Sequence, residues 1–168
     1  MKRNLLFALV LLMAGTAFAQ QAEISHDASG NKIIKGFMTR QQLATDSAFT
    51  WFAQNQKGYT PQSEALAALK ANKDSINIIA FGGTWCGDTQ FILPKFFMLA
   101  DQAGLSPDRI TLVGVDHSKK TVQHLSEVFN IVNVPTIIIM KNGKELGRVV
   151  EYGKTGAFDK DLGEILSK

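Results

Sequence analysis

The sequence is poor in cysteine, because Cys86 is the only one among its 168 residues. A single cysteine cannot close a disulfide within the chain, so a scaffold held together by internal disulfides is excluded. Three roles remain for the thiol: an inert buried side chain, a partner in an intermolecular disulfide, or a functional nucleophile. Free cysteine is commonly buried and unreactive, so reactivity has to be argued from the surrounding residues.

The N-terminal region lacks an apolar run of the roughly 20 residues that a membrane-spanning helix requires. Its apolar stretch, Leu5 to Met13, follows Lys2 and Arg3 and precedes Ala17-Phe18-Ala19. A positive start, a short apolar stretch and a small-x-small site are the layout of a secretory signal peptide. We therefore expect cleavage near Ala19 and export to the periplasm or the medium, without stable membrane insertion afterwards.

An excess of charge of one sign is also missing. The chain has 18 basic and 15 acidic residues, and two of the basic ones lie in the expected signal peptide, which leaves a net charge of +1 for residues 20–168. Such a balance gives no reason to expect nucleic acid as a partner. The three histidines, His26, His117 and His124, lack the spacing of metal ligands, so we predict neither a metal nor another cofactor.

Two regions follow the expected signal peptide. Residues 20–36 are polar and indicate a loose lead-in or an edge strand, while apolar residues recur at helical spacing over residues 39–56. Residues 20–60 are therefore predicted to form an N-terminal extension that is mainly helical. Residues 61–168 contain apolar runs bounded by turn residues, which predict strands at 76–81, 109–115, 136–140 and 145–150, with helices between and after them.

The order of these elements predicts an α/β fold. A helical crossover between the first two strands implies that they run parallel, whereas the turn at Asn142-Gly143 makes the last two antiparallel. The prediction is a single domain at residues 61–168 with a mixed central sheet flanked by helices.

Two short motifs resemble the hallmarks of the thioredoxin superfamily. Trp85-Cys86-Gly87-Asp88-Thr89 follows a strand and opens a helix that contains Pro94, which is similar to the active-site turn of that family. Farther along, Val134-Pro135-Thr136 and the strand pair joined through Lys-Asn-Gly143 are similar to the cis-proline region. The resemblance covers residues 61–168 and implies a thioredoxin-like fold that carries the extension at its N-terminus.

The resemblance also implies roles for individual residues. Cys86 is expected to be the nucleophile, because a helix N-terminus favours negative charge and such placements lower the pKa of a cysteine thiol. Trp85 would shield the sulfur, with Gly87 beside it, and Val134 and Pro135 would offer a docking edge to an extended substrate.

The sequence departs from the dithiol members of this family at Thr89, which stands where a second cysteine would resolve the mixed disulfide. The Thr89 hydroxyl is expected to donate a hydrogen bond to the Cys86 thiolate instead. Ala80 replaces a buried acid of classical thioredoxins, and Asp88 is a candidate for some of its proton handling, although a carboxylate close to the sulfur would disfavour the thiolate.

These features predict thiol–disulfide exchange through one cysteine. Its substrates would be protein or small-thiol disulfides, and an external thiol would have to resolve the mixed disulfide. Two alternatives stay open. One is a redox-inactive binding or scaffold module that uses the groove along the Val134 and Pro135 docking edge, and the other is a disulfide-linked homodimer.

Overall fold

The computed structural model describes residues 22–168, so the expected signal peptide lies outside the described residues. The described strands and helices are, in chain order, β1 (Glu23–His26), β2 (Lys32–Met38), α1 (Arg40–Thr45), α2 (Trp51–Gln54), α3 (Ser63–Asn72), β3 (Asn77–Gly82), α4 (Gly87–Ala103), β4 (Ile110–Gly114), α5 (Leu125–Val128), β5 (Thr136–Lys141), β6 (Lys144–Val150) and α6 (Phe158–Leu166). Short 3₁₀ turns occupy Ser47–Phe49, Pro107–Arg109 and Val122–His124.

The strands form one mixed sheet of six strands in the order β1-β2-β4-β3-β5-β6. β3 and β4 run parallel, and the other neighbouring pairs are antiparallel. Asn142 and Gly143 both have positive φ in the turn between β5 and β6, as a tight hairpin requires. The α/β fold with a mixed, helix-flanked sheet, predicted from the sequence, is confirmed.

The N-terminal extension differs from the mainly helical prediction, because a β-hairpin forms its first part and joins the sheet. β2 pairs with β4, and Gly114 permits this pairing since a Cβ there would collide with the backbone oxygen of Ile34. The helix expected over residues 39–56 is broken at Asp46, whose backbone is extended and whose carboxylate accepts a hydrogen bond from Ala48 N. An aspartate that caps a new turn in this way competes with helix continuation.

Apolar side chains cover both faces of the sheet. One face packs against the helices α3, α4 and α6, with Leu69, Phe96 and Leu162 among the fully buried residues. The opposite face carries a smaller cluster that includes Phe81 and, at its edge, the partly buried Cys86. The thiol therefore lies at the boundary between the second core and the surface. Within residues 22–168, no helix is both long and apolar enough to cross a bilayer.

Candidate active site

Cys86 is the N-cap residue of α4. Its backbone is extended (φ −87°, ψ 124°), and its carbonyl oxygen accepts the first helical hydrogen bond from Gln90 N at 2.9 Å. The side chain is thus placed where unpaired backbone N–H groups and the helix dipole favour a negative charge. Gly87 follows as an exposed residue, and the space where its Cβ would lie is open.

The thiol faces the loop that precedes β5. Cys86 Sγ donates a hydrogen bond to the backbone oxygen of Val134 at 3.2 Å, and the peptide bond between Val134 and Pro135 is cis. The loop is fixed from its other side, since Glu151 N donates to Pro135 O at 2.7 Å. Because the thiol proton occupies the Val134 carbonyl, that acceptor becomes free for another donor when the proton leaves.

Thr89 does not have the contact expected from the sequence. Its side chain is fully buried, and its hydroxyl oxygen accepts a hydrogen bond from Gly83 N at 3.2 Å. Among the hydrogen bonds of residues 22–168, none joins Thr89 to Cys86 Sγ. The expected donation to the sulfur is therefore corrected: Thr89 fixes the loop before Cys86, because the side chain points inward at the first turn of α4.

Asp88 lies half-buried in the first turn of α4, next to a residue that the sequence analysis missed. The phenol of Tyr152 faces the Asp88 carboxylate. The pKa of Tyr152 is raised, mainly because the phenol is partly buried and secondly because the negative Asp88 carboxylate lies beside it. The Tyr152 ring also lies against Phe91, with ring centroids 5.8 Å apart. The register of β5 and β6 could have indicated Tyr152, because Val150 pairs with Thr136 and the residues after Val150 must therefore lie near Pro135.

Trp85 is held beside the cysteine by several contacts. Its indole N–H donates to Val115 O at 3.0 Å, and the indole lies so close to Gly83 that a Cβ there would be 2.7 Å away. His117 stacks on the indole with ring centroids 4.2 Å apart and an interplanar angle of 26°. His117 follows the end of β4, from where it could be expected to approach the site, and it is part of the site's surroundings.

The loop before Cys86 is also attached to the extension. The Thr84 hydroxyl donates to Lys32 O at 2.7 Å and accepts from Ile34 N at 3.3 Å, so that it bridges two residues of β2. Thr84 is buried, and its carbonyl accepts from Gln90 Nε2 at 2.9 Å. The backbone before the cysteine is consequently fixed by residues on both sides of it. Neither Thr84 nor β2 was recognised from the sequence as part of the site.

The site offers the thiol of Cys86 as its nucleophilic group. In the part of the chain that the structure describes, no group of three or more His, Cys, Asp and Glu side chains could hold a metal ion. The site brings Trp85, Cys86, Val134 and Pro135 together, with Asp88 at the rim and Thr89 beneath it.

Comparisons with known proteins find relatives of this chain. A family model for thioredoxin matches residues 61–164. Thioredoxin H2-2 from Oryza sativa subsp. japonica is 37% identical over 111 residues, which cover 64% of this chain and 68% of the relative. A thioredoxin from Echinococcus granulosus is 30% identical over 90 residues, which cover 54% of this chain and 77% of the relative.

Among solved structures, a protein of unknown function from Pseudomonas aeruginosa shares the fold with a TM-score of 0.53 at 15% identity. The match covers 79% of this chain and 90% of that one. Because the thioredoxin model spans well over half of the sequence, this chain belongs to the thioredoxin family, whose members are thiol–disulfide oxidoreductases that act on protein disulfides.

Proposed function

We propose that this protein exchanges disulfides through Cys86 alone. The Cys86 thiolate attacks one sulfur of a substrate disulfide, a new S–S bond to Cys86 forms, and the other substrate sulfur leaves as a thiolate. An external thiolate then attacks the mixed disulfide, and Cys86 is released as a thiolate while the attacking thiol becomes part of a new disulfide. The protein ends in the redox state in which it began, so the cycle suits isomerisation or the removal of a small-thiol adduct.

The observation that carries the proposal is the position of Cys86 Sγ. It lies at the N-terminus of a 17-residue helix, at the surface boundary and 3.2 Å from Val134 O. A redox-inactive binding module would not require a partly exposed sulfur in this position. Exposure and a helix N-terminus are the two properties that distinguish reactive from inert cysteines.

Docking of substrate is proposed for the edge formed by Val134 and Pro135. Once the thiol proton has left, the Val134 carbonyl can accept a backbone N–H from an extended substrate segment, as a neighbouring strand would provide. Exposed apolar side chains at Phe91, Val132 and Tyr152 lie on segments adjoining this edge and would contact the segment's side chains.

The need for an external thiol follows from Thr89. Its hydroxyl cannot displace a sulfur from a disulfide under ordinary conditions, because the attacking group must be a thiolate. Resolution therefore falls to a thiol of the substrate, a small thiol, or a partner protein. We also propose that the exchange takes place after export, which the N-terminal sequence of the purified protein would test: a start at Gln20 is expected.

The first experiment is the rate of iodoacetamide alkylation of the folded protein and of the urea-unfolded protein, with Cys86→Ser as the blank. We expect the folded protein to be alkylated without denaturant, because the Cys86 side chain is partly exposed. Incubation with oxidised glutathione should then add one glutathione per chain by intact mass, and the adduct should disappear on addition of an external thiol.

Two results would contradict the proposal. Alkylation that requires unfolding indicates a buried thiol, and an intact mass that oxidised glutathione leaves unchanged indicates an unreactive one. Either result favours the alternative of a binding module that uses the same groove. A dimer band that is lost on reduction would instead identify a disulfide-linked homodimer.

A further inference from the structure

The hairpin of β1 and β2, which precedes the residues matched by the thioredoxin family model, has a turn held by several hydrogen bonds. Asp27 N donates to Asn31 O at 3.0 Å, and the Asp27 carboxylate accepts from Ser29 N and Asn31 N, both at 2.9 Å, and from Asn31 Nδ2 at 2.9 Å. These bonds fix the carboxylate within its own turn, and they are the main reason that the pKa of Asp27 falls to about 2. The group is therefore charged and oriented independently of any substrate.

The Asp27 carboxylate reaches across to the active-site side of the domain. Its Oδ2 lies 3.2 Å from His117 Nε2, and the His117 ring stacks on Trp85 at 4.2 Å. The Asp27 side chain is only 14% exposed, although the turn lies at the surface. A continuous series of contacts thus runs from the β1–β2 turn to the residue immediately before Cys86.

The other contacts of the indole complete its support. Val115 O accepts its N–H, and Gly83 leaves room for the ring to lie on the backbone. With His117 in place, the indole is bounded by a hydrogen bond, by the loop backbone and by a stacked ring. Lys119 Nζ also lies over the ring, 5.9 Å from its centroid, so the His117 ring at 4.2 Å is the nearer of these two contacts.

We propose that Asp27 and His117 are positioning residues that hold Trp85 in one orientation beside the Cys86 sulfur. This inference rests on the proposed exchange function of Cys86. A side chain that is ordered in advance does not have to be immobilised when substrate arrives, so a fixed indole speeds the encounter with a disulfide. The extension is thereby assigned a role at the active site, although it lies outside the segment that matches the family model.

The test measures Trp85 and the exchange reaction in the same proteins. A Trp51→Phe background leaves Trp85 as the only tryptophan, since the chain has two. The variants are His117→Ala, which removes the stack, His117→Phe, which keeps a ring of similar size, and Asp27→Asn, which keeps the turn acceptor and removes the charge. Fluorescence anisotropy decay reports motion of the indole, and rapid mixing with a disulfide-linked peptide dimer gives the rate constant for mixed-disulfide formation.

We expect His117→Ala to increase indole motion and to slow mixed-disulfide formation about threefold to tenfold, the range implied by the energy of one aromatic pair. His117→Phe should restore both quantities. Asp27→Asn should give a smaller change of the same sign, and it should add nothing in the His117→Ala background because the two residues act in series.

The outcomes separate the two levels of the argument. Exchange at the parent rate in His117→Ala, or slowing that His117→Phe does not restore, overturns the positioning role and leaves the exchange function standing. Failure of the parent protein itself to form a mixed disulfide overturns the exchange function and the positioning role with it. Circular dichroism of each variant ensures that the rates compare folded proteins.

Discussion

Replacing Thr89 by cysteine should convert this one-cysteine site into a self-resolving pair. Thr89 is three residues after Cys86, in the first turn of α4, and its side chain is fully buried beneath the loop. Residues at this spacing are neighbours on a helix, and two cysteines so placed at a helix N-terminus form a redox pair. The introduced thiol would attack the mixed disulfide, release the substrate as a thiol and leave an intrachain disulfide.

The kinetic effect can be bounded from the geometry. A tethered thiol acts at an effective concentration of about 1 mM or more, so with external thiol held near 10 µM, substrate release should be at least about 100-fold faster than in the parent protein. The assay mixes the reduced protein rapidly with oxidised glutathione, quenches samples with acid, and follows the rise and decay of the glutathione adduct by intact mass.

The substitution also has a cost in stability. Gly83 N is buried and donates to the Thr89 hydroxyl at 3.2 Å, and sulfur is a weak acceptor in its place. We expect a loss of about 1–3 kcal/mol in the free energy of unfolding of the reduced protein. For a protein of this size that corresponds to a fall in Tm of roughly 2–12 °C.

Thr89→Ser is the matched control, because it keeps the hydroxyl and adds no thiol. Its adduct should live as long as that of the parent protein. An adduct of Thr89→Cys that persists as long as that of the serine control would contradict the prediction. Such a result would mean that position 89 is out of reach of the sulfur bound to Cys86.

The remaining predictions concern the attachment of the extension. Thr84→Val removes the hydrogen-bond acceptor of Ile34 N, which is then buried without a partner. The free energy of unfolding in urea titrations should therefore fall by about 1–3 kcal/mol, whereas Thr84→Ser should be close to the parent protein. Equal stability of the valine and serine variants would contradict this prediction. The pKa of Asp27 is lowered to about 2, so its contribution is present above the unfolded value near 3.8 and is lost as pH falls towards 2. In Asp27→Asn, the free energy of unfolding should therefore fall less between about pH 4 and pH 2 than it does in the parent protein. The same fall in both proteins would show that the Asp27 carboxylate does not contribute to stability.

Local patterns were sufficient for much of the domain. An apolar run that ends in Gly82-Gly83 predicts a strand, and the helical spacing after Cys86 places that cysteine at a helix N-terminus. The Asn142-Gly143 turn likewise identifies the hairpin of β5 and β6. Periodicity and turn chemistry depend on neighbouring residues, so a single sequence is enough to read them.

The extension shows where local patterns are insufficient. Burial alternates along β2 from Ile34 to Met38, but the inward glycine at Gly36 and the exposed Phe37 hide this alternation in the sequence, which therefore left a loose lead-in and an edge strand both open. It becomes a strand because β4 offers a free edge and Gly114 lets the two backbones approach. The tendency of a segment to form a strand depends largely on such neighbouring strands and side chains.

Residue identity and short-range order were enough to predict the family, the α/β fold class, the single thiol and its place between a strand and a helix. The packing of distant elements was needed to show that Thr89 faces Gly83, that Tyr152 lies beside Asp88, and that Asp27 contacts His117, which stacks on Trp85. Asp27 and His117 are 90 residues apart in the chain. Contacts at such separations depend on how the elements pack, and no local pattern in the sequence encodes that packing.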